Sequence, residues 1–396
     1  MVGKLVSLIK RPRLFKISFL AVTVILVWFV YFWRLSSLVP GLSPDEVVAR
    51  AASHDLKAAV DSSTNAPYLI WLHGLQLLDH NRVLFLRLGS ALVGVGLAYS
   101  FFSLLRRRLD NLTAVFGSYL LISLPWLVIS SRTASTDIMW LSPLLLVALF
   151  VWLQDSQRRL MLKFSWLAVA AALLLYTPGL FWFELVAVGL YFSQLKTSLK
   201  SLRWWAKSLL ILSFLIILAP LVRALILNHM SWRSWLLIPQ HWATLSVSLK
   251  SIAWGLLSFV WRTPVHFGQV LARLPILSSA LLVLVGLGWA NLYRHYSRRA
   301  AWGSAIWLGM VIVLSGLNQN WTILSLAVPF CVVAAAFGLA YLYNEWRLIF
   351  PHNPLAKAVA LILIILLVGL QLVYSLRYSL IAWPHSAATR SSYVLK

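Results

Sequence analysis

The sequence predicts an all-α polytopic membrane protein with about eleven transmembrane helices. Three observations predict it. Only 11% of the residues are charged and 61% are hydrophobic, whereas a soluble domain carries about 25% charged residues. Apolar runs close to the ~20 residues that a helix needs to cross a bilayer recur from one end of the chain to the other. Twenty of the 34 Lys and Arg fall in connectors that alternation places on one side, which is the positive-inside pattern. Lipid admits only helices or closed barrels, and the alternating pattern of a barrel is absent.

The basic amino end, Lys4 to Lys16, precedes the apolar run Leu14–Trp33. That run is too long for a signal peptide and no small-x-small cleavage site follows, so an uncleaved first span is predicted. The predicted spans are 14–34, 84–105, 111–129, 137–153, 163–177, 179–195, 207–227, 275–293, 300–316, 321–343 and 358–378. Their basic connectors hold Arg106–Arg108, then Arg158, Arg159 and Lys163, then Lys196, Lys200, Arg203 and Lys207, then Arg294, Arg298 and Arg299, and last Arg347 and Lys357. This sets the amino terminus inside and the tail Ser379–Lys396 outside. The net charge of +24 thus marks orientation, and no nucleic-acid partner is predicted.

Two long outer connectors remain, 35–83 and 228–274, both rich in aromatic, Arg and His residues. They read as amphipathic helices lying on the membrane surface. The whole chain, 1–396, is expected to form one integral membrane domain without a soluble one, divided into 14–227 with its first loop 35–83, the second loop 228–274 and the helices of 275–378. The 21 Trp fit interfacial anchoring and sugar stacking. Cys331 is the single cysteine, so no intrachain disulfide is expected.

The ten acids are unevenly placed. On this topology Asp45, Glu46, Asp55, Asp61, Asp79 and Asp137 are outside, and beyond Glu184 the outer face keeps only cations: Arg223, Arg233, Lys250, Arg262, Arg273, Arg377 and Arg390. Such a basic, aromatic surface suits a lipid phosphate, and equally the anionic head groups of the bilayer. Ser43-Pro44-Asp45-Glu46 opens the first outer loop as a capping box, with Pro at the first helical position and Asp suited to the dipole. Any helix can start this way. Arg132 and Asp137 share a tight link and should face one aqueous cavity, although Asp137 also suits a helix cap. Glu184 is an intramembrane acid, either functional or a protonated structural group. The outer histidines, His54, His73, His80, His229, His241, His266 and His385, show no i, i+4 pairing with acids. No cofactor is firmly predicted, and a divalent metal is left open. Walker A, G-x-G-x-x-G and G-x-S-x-G motifs are missing, which removes most support for nucleotide-driven transport and serine hydrolysis.

One order of motifs resembles a known family. After the basic amino end and first span come Asp45-Glu46, Asn65-Ala66-Pro67-Tyr68-Leu69-Ile70-Trp71-Leu72 and Leu86-Arg87-Leu88-Gly89-Ser90-Ala91-Leu92-Val93-Gly94. Arg132 and Asp137 follow a Pro-containing third span, and Tyr176-Thr177-Pro178-Gly179 comes next. Over residues 10–195 this is similar to the GT-C glycosyltransferases, in particular the protein O-mannosyltransferase and aminoarabinose transferase branch. The resemblance implies a helical membrane bundle and a polyprenyl-phosphate-linked sugar as donor. It implies catalytic carboxylates at Asp45, Glu46 and Asp137, with Arg132 on the donor phosphate. Many relatives carry Lys where this chain has Tyr176, and many carry a soluble carboxyl-terminal domain.

The expected chemistry is sugar transfer to a hydroxyl of a lipid, glycan or protein on the outer face of a bacterial plasma membrane. Asp45 is the general base and inversion is expected, since a single displacement needs one base. Arg132, helped by Arg233 and Arg262 and with Tyr176 nearby, is expected to hold the departing phosphate. Membrane lipids are the other partners. The rival readings are an O-antigen ligase or polymerase type that uses Arg233, His241, Arg262 and His266, a lipid-linked-sugar transporter that uses Glu184, and a non-catalytic subunit with the same fold.

Overall fold

The computed structural model describes residues 12–61, 64–79, 83–155, 159–227, 231–264, 271 and 273–393. The basic residues before Pro12, together with His80, Arg158, His229 and His266, lie outside the described residues. The chain is 81% helical with no strand among the described residues, which excludes a barrel built from them.

α1 (Pro12–Phe32) is followed by three short helices, α2 (Pro44–Ala52), α3 (Leu56–Asp61) and α4 (Ala66–Gln76). These fill the first long connector, as its amphipathic character predicts, and none is long enough to cross a bilayer. α5 (Val83–Arg106) is a full span. α6 (Asn111–Ile122) and α7 (Pro125–Arg132) form one apolar run bent by 57°. The bend has a local cause. Pro125 offers no N–H to the preceding turn and forces Leu124 out of the helical region, to φ −62° and ψ 124°.

A 3₁₀ turn, Thr136–Leu141, leads into α8 (Pro143–Asp155), α9 (Leu160–Leu174), α10 (Leu180–Lys200) and α11 (Trp204–Leu227). The second long connector carries α12 (Ser231–Trp235) and α13 (Leu245–Val260). Then come α14 (Ser279–Asn291), α15 (Arg298–Asn318), a second 3₁₀ turn Trp321–Ala327, α16 (Val328–Ile349) and α17 (Pro354–Leu376). A π turn, Arg377–Ala382, passes into α18 (Trp383–His385) and α19 (Ala387–Ser392).

Each of the eleven predicted runs falls on a helix or a broken helix pair. By length and apolarity, six helices among the described residues can cross a bilayer, or seven with the bent pair. The count of about eleven is not confirmed among the described residues, where elements such as α9, with 15 residues, and α14, with 13, are shorter than the ~20 that a span needs.

The second 3₁₀ turn with α16 is the centre of the bundle, 89% buried across its apolar window, whereas α11 is 11% buried and lies at the rim. α14 and α16 cross at Gly288 and Gly338. A Cβ on either glycine would run into the other helix's backbone, at the Ala334 and Leu284 carbonyls. Small residues there let the two backbones meet, the usual route to tight packing in lipid.

The connectors sort to two ends. At one, Arg107 pairs with Asp155, Arg108 Nη2 donates to Gln154 Oε1 at 2.7 Å, and Lys163 Nζ donates to the Trp152 carbonyl at 2.7 Å. This is the basic end. At the other, the first loop meets the links 133–136 and 176–179: Ala134 N–H reaches Glu46, and Asn65 N–H reaches the Tyr176 carbonyl at 2.8 Å.

Candidate active site

The acid-bearing loop is fixed from its first turn. Ser43 is the N-cap of α2, with its hydroxyl accepting the Glu46 N–H at 3.2 Å. Glu46 Oε2 accepts the Ser43 N–H in return, at 3.0 Å. Glu46 then does far more than cap. It is fully buried, and Arg87, also fully buried, meets it with both prongs, Nε to Oε1 at 2.8 Å and Nη2 to Oε2 at 3.0 Å. Ala134 N–H adds a bond to Oε1 at 3.0 Å. Each carboxylate oxygen therefore has two donors. Arg87 uses two of its three remaining protons on the carbonyls of Leu35, at 3.3 Å, and Gly41, at 2.7 Å. One buried ion pair thus joins the start of the first loop, α5 and the link before the first 3₁₀ turn. Bidentate geometry and a carboxylate with both oxygens fully hydrogen-bonded are what allow such a pair to be buried.

Asp45, beside it, is exposed on the first turn of α2. Tyr393 closes over the same helix start. Its phenol shares a hydrogen bond with the Ser43 side chain and lies within electrostatic reach of Glu46, Arg87 and Asp45, and burial pushes its pKa above the usual tyrosine value. Its ring packs edge-on against Trp383 at 5.6 Å in an apolar cluster with Val39, Ile129 and Tyr378. The Tyr378 hydroxyl accepts the Leu271 N–H at 2.6 Å, and the Thr263 hydroxyl donates to the Leu274 carbonyl at 3.1 Å. The last part of the second connector, with exposed Arg262 and Arg273, is thereby tied to the acid-bearing loop.

Arg132 takes a different position from the expected one. The bend at Pro125 aims it at the end of α1, where Nη1 donates to the Val30 carbonyl at 2.8 Å and Nη2 to the Trp33 carbonyl. It is buried, so its two prongs cap a helix end instead of facing an open cavity. Gly94 makes room for this approach, since a Cβ there would overlap Ser131. Asp137 is half-buried in the first 3₁₀ turn, and Ser135 Oγ accepts its N–H at 3.1 Å. Asp137 and Glu46 both act on the buried Tyr68 phenol, which is 2.5 Å from Ser90 Oγ. Burial, first, and then these two charges push that phenol above its usual pKa.

Tyr176 turns away from the acids and donates from its hydroxyl to the Ile217 carbonyl at 2.6 Å, so it packs the 176–179 link onto α11. Arg233 stacks over Trp232 at 5.6 Å on α12, a helix that bonds the same link through Trp235. Arg262 stacks over Trp254 at 5.6 Å. The structure therefore gathers Asp45, Glu46, Arg132 and Asp137 around the first loop, brings Arg262 to that side, and leaves Tyr176 and Arg233 on the neighbouring link. Glu184 lines an apolar cavity of about 460 Å³ between α10 and α16, with Oε1 buried and lacking a hydrogen-bond partner. No group of three His, Cys, Asp or Glu that could hold a metal ion occurs among the described residues.

Arg87 and Tyr68, which stood in the sequence only as members of the quoted motifs, and Tyr393 were not expected at the site. Arg87 gave one signal, a cation five positions inside an apolar run, which lipid tolerates only with a partner.

The bent helical bundle, with its first loop of short helices clamped between its second and third spans, is a fold found in solved membrane-protein structures from bacteria and archaea. ArnT from Cupriavidus metallidurans, bound to undecaprenyl phosphate, superposes with a TM-score of 0.62 and 14% identity, over 95% of this chain and 76% of that one. The archaeal oligosaccharyltransferase AglB from Archaeoglobus fulgidus, in complex with an inhibitory peptide and a dolichol-phosphate, gives 0.58 and 12%, over 93% and 56%. At these identities the likeness is one of fold. No family model and no curated protein matches the sequence.

Proposed function

We propose that this integral membrane protein transfers a sugar from a polyprenyl-phosphate donor to an acceptor hydroxyl, with Asp45 as general base. One observation carries the reading. Of the adjacent acids, Glu46 has every carboxylate oxygen committed to two donors, while Asp45 is exposed on the first turn of the same clamped helix. A base must keep a lone pair for the incoming proton, and only Asp45 does.

As the acceptor oxygen bonds to the anomeric carbon, its proton passes to Asp45 and the bond from that carbon to the donor phosphate oxygen breaks. The polyprenyl phosphate leaves as an anion and needs no general acid. A single displacement inverts the anomeric centre. Arg262, exposed and tied to the acid side, is the cation we assign to the leaving phosphate, with Arg233 as a more distant contributor. Arg132 and Glu46 position the loop, and Asp137 orients the acceptor. The basic end faces the cytoplasm and the acid-bearing end the outer face, by the positive-inside rule, in a bacterial plasma membrane. ArnT and AglB, both seen with polyprenyl-type phosphates, support the donor class.

The test is transfer from a radiolabelled polyprenyl-phosphate sugar in proteoliposomes. Asp45→Asn should abolish product while the protein inserts normally; near wild-type turnover would remove Asp45 as the base.

A further inference from the structure

The same end of the bundle holds a second cavity, of about 540 Å³, between the second connector at 234–243 and the tight link 317–320. That volume lies within the ~300–1,000 Å³ of small-molecule sites. Its two rims are built with backbone that non-glycine residues seldom adopt, Leu237 at φ +54° and Gln319 at φ +51°. The rims are braced to each other, since Asn318 Nδ2 donates to the Leu237 carbonyl at 2.7 Å and to the Leu314 carbonyl at 2.8 Å. Ser315 Oγ holds the Asn320 carbonyl at 2.8 Å from below. Strained positions fixed from both sides mark a shape the fold maintains.

The side chains presented on this frame are polar or aromatic, two amides, an imidazole and an indole. Gln240, His241, Trp242 and Gln319 line the cavity and are exposed. Among the described residues the lining holds no Asp, Glu, Lys or Arg, although the surrounding connector is strongly basic. A phosphate or a carboxylate would find no Lys or Arg here, and His241 is the one lining side chain that can carry a positive charge. Amides donate and accept at once, as hydroxyls do, and an exposed indole offers a flat apolar face with a polar edge. A bilayer anchor would use the indole but has no need of the amides.

The cavity also adjoins the acid-bearing region. Ile323 in its wall belongs to the 3₁₀ turn Trp321–Ala327, which packs against the 3₁₀ turn that carries Asp137. On the other side Trp182 Nε1 donates to the Leu236 carbonyl at 2.8 Å, fixing the connector to α10.

We propose that this cavity binds an uncharged sugar unit of the acceptor, stacked on Trp242 and hydrogen-bonded by Gln240 and Gln319. The place given to it in the reaction rests on the transferase reading; the binding itself does not.

The test is saturation-transfer NMR on the full chain in nanodiscs. The probes are methyl hexopyranosides and methyl N-acetylhexosaminides at millimolar concentration, with glucose 1-phosphate as the charged control. At least one uncharged glycoside should bind, more tightly than glucose 1-phosphate. Trp242→Ala should weaken it by about tenfold or more, and Gln319→Ala should weaken it less. Asp45→Asn should bind like wild type, so a wild-type chain that binds glycoside but transfers no sugar would overturn the transferase reading and leave the subsite standing. Absence of glycoside binding to wild type, unchanged binding in Trp242→Ala, or preference for glucose 1-phosphate would each overturn the subsite.

Discussion

Glu46 and Arg87 form a buried, two-pronged ion pair at 2.8 and 3.0 Å that spans 41 positions of sequence and holds the acid-bearing helix against the second span. The consequence for stability is specific. Glu46→Gln leaves Arg87 a buried cation without its counter-charge, and breaking such a pair costs about 3–5 kcal/mol. Thermal unfolding in detergent should show a marked fall. Replacing both partners, as Glu46→Gln with Arg87→Met, should lose less than the sum of the two single changes, because no uncompensated charge remains. A Glu46→Gln protein that melts with wild type would exclude the pair as the loop's clamp.

Asp45→Asn should behave in the opposite way. The side chain is exposed, so the change removes at most the modest helix-dipole contribution of about 0.3–1 kcal/mol. Transfer should fall by about 10²–10⁴-fold, the range of general-base catalysis. Loss of activity with loss of fold would make Asp45 structural; loss without it supports the base.

How far the sequence could be read follows from the range of the interactions. The capping box at Ser43 and Glu46 is a three-residue event and was legible, as were the short surface helices of the first loop; the run 111–129 was expected as one span, and its 57° bend at Pro125 was not foreseen. The division of labour between Asp45 and Glu46 was not. It depends on Arg87 and on Ala134 N–H, which is 88 positions from Glu46. Arg132 looked like a cation facing a cavity, because its acceptors are backbone carbonyls 102 and 99 positions earlier and carbonyls leave no trace in side-chain chemistry. Tyr176 was placed by its position in a link, and its hydroxyl bond to Ile217 is set by how α11 lies alongside.

The two arginines should separate in assay. Arg132→Ala withdraws two charged donors from the end of α1, and hydrogen bonds to charged groups contribute about 1.5–3 kcal/mol each. Its first effect should be on thermal stability. Arg262→Ala, exposed, should leave the melting temperature in place and raise the donor KM by about tenfold, equivalent to roughly 1.4 kcal/mol. Equal donor and acceptor defects in Arg262→Ala would count against a phosphate contact.

The crossing of α14 and α16 offers a test of the bundle itself. Gly338→Val puts a branched side chain where even a Cβ meets the Leu284 carbonyl. The helices must part, and overpacking of a core typically costs about 1–3 kcal/mol. Gly369→Val, where nothing lies within 4 Å, is the control and should be tolerated. Comparable melting of the two variants would show that the crossing is looser than its glycines indicate.

Glu184 separates the enzyme from the carrier. A transport role needs its carboxyl group; the transfer mechanism does not use it. Glu184→Gln keeps the shape and removes the ionisable group from the apolar cavity. Transfer in proteoliposomes should stay within about twofold of wild type, a change worth less than ~0.5 kcal/mol. A Glu184→Gln protein without transfer, but with normal donor binding, would move the essential step into the membrane and favour the carrier.

Tyr393 tests whether the cap over α2 aims Asp45. Its phenol is buried, and its pKa is raised by that burial and by the charges of Glu46 and Asp45, so it stays protonated above the ordinary tyrosine range. It therefore acts on Ser43 as a neutral hydrogen-bonding group. Tyr393→Phe keeps the packing on Trp383 and removes only the hydroxyl, a loss of about 0.5–1.5 kcal/mol for a neutral hydrogen bond. Thermal stability should drop slightly. The rate should fall without a change in acceptor KM, and the pH profile should keep its shape because the group removed does not titrate there. Tyr393→Ala, which also empties the cluster with Val39 and Ile129, should release the second connector from the loop and raise the donor KM. If Tyr393→Phe instead shifts the pH profile, the phenol is exchanging protons with the acid beside it, and its role is chemical, not positional.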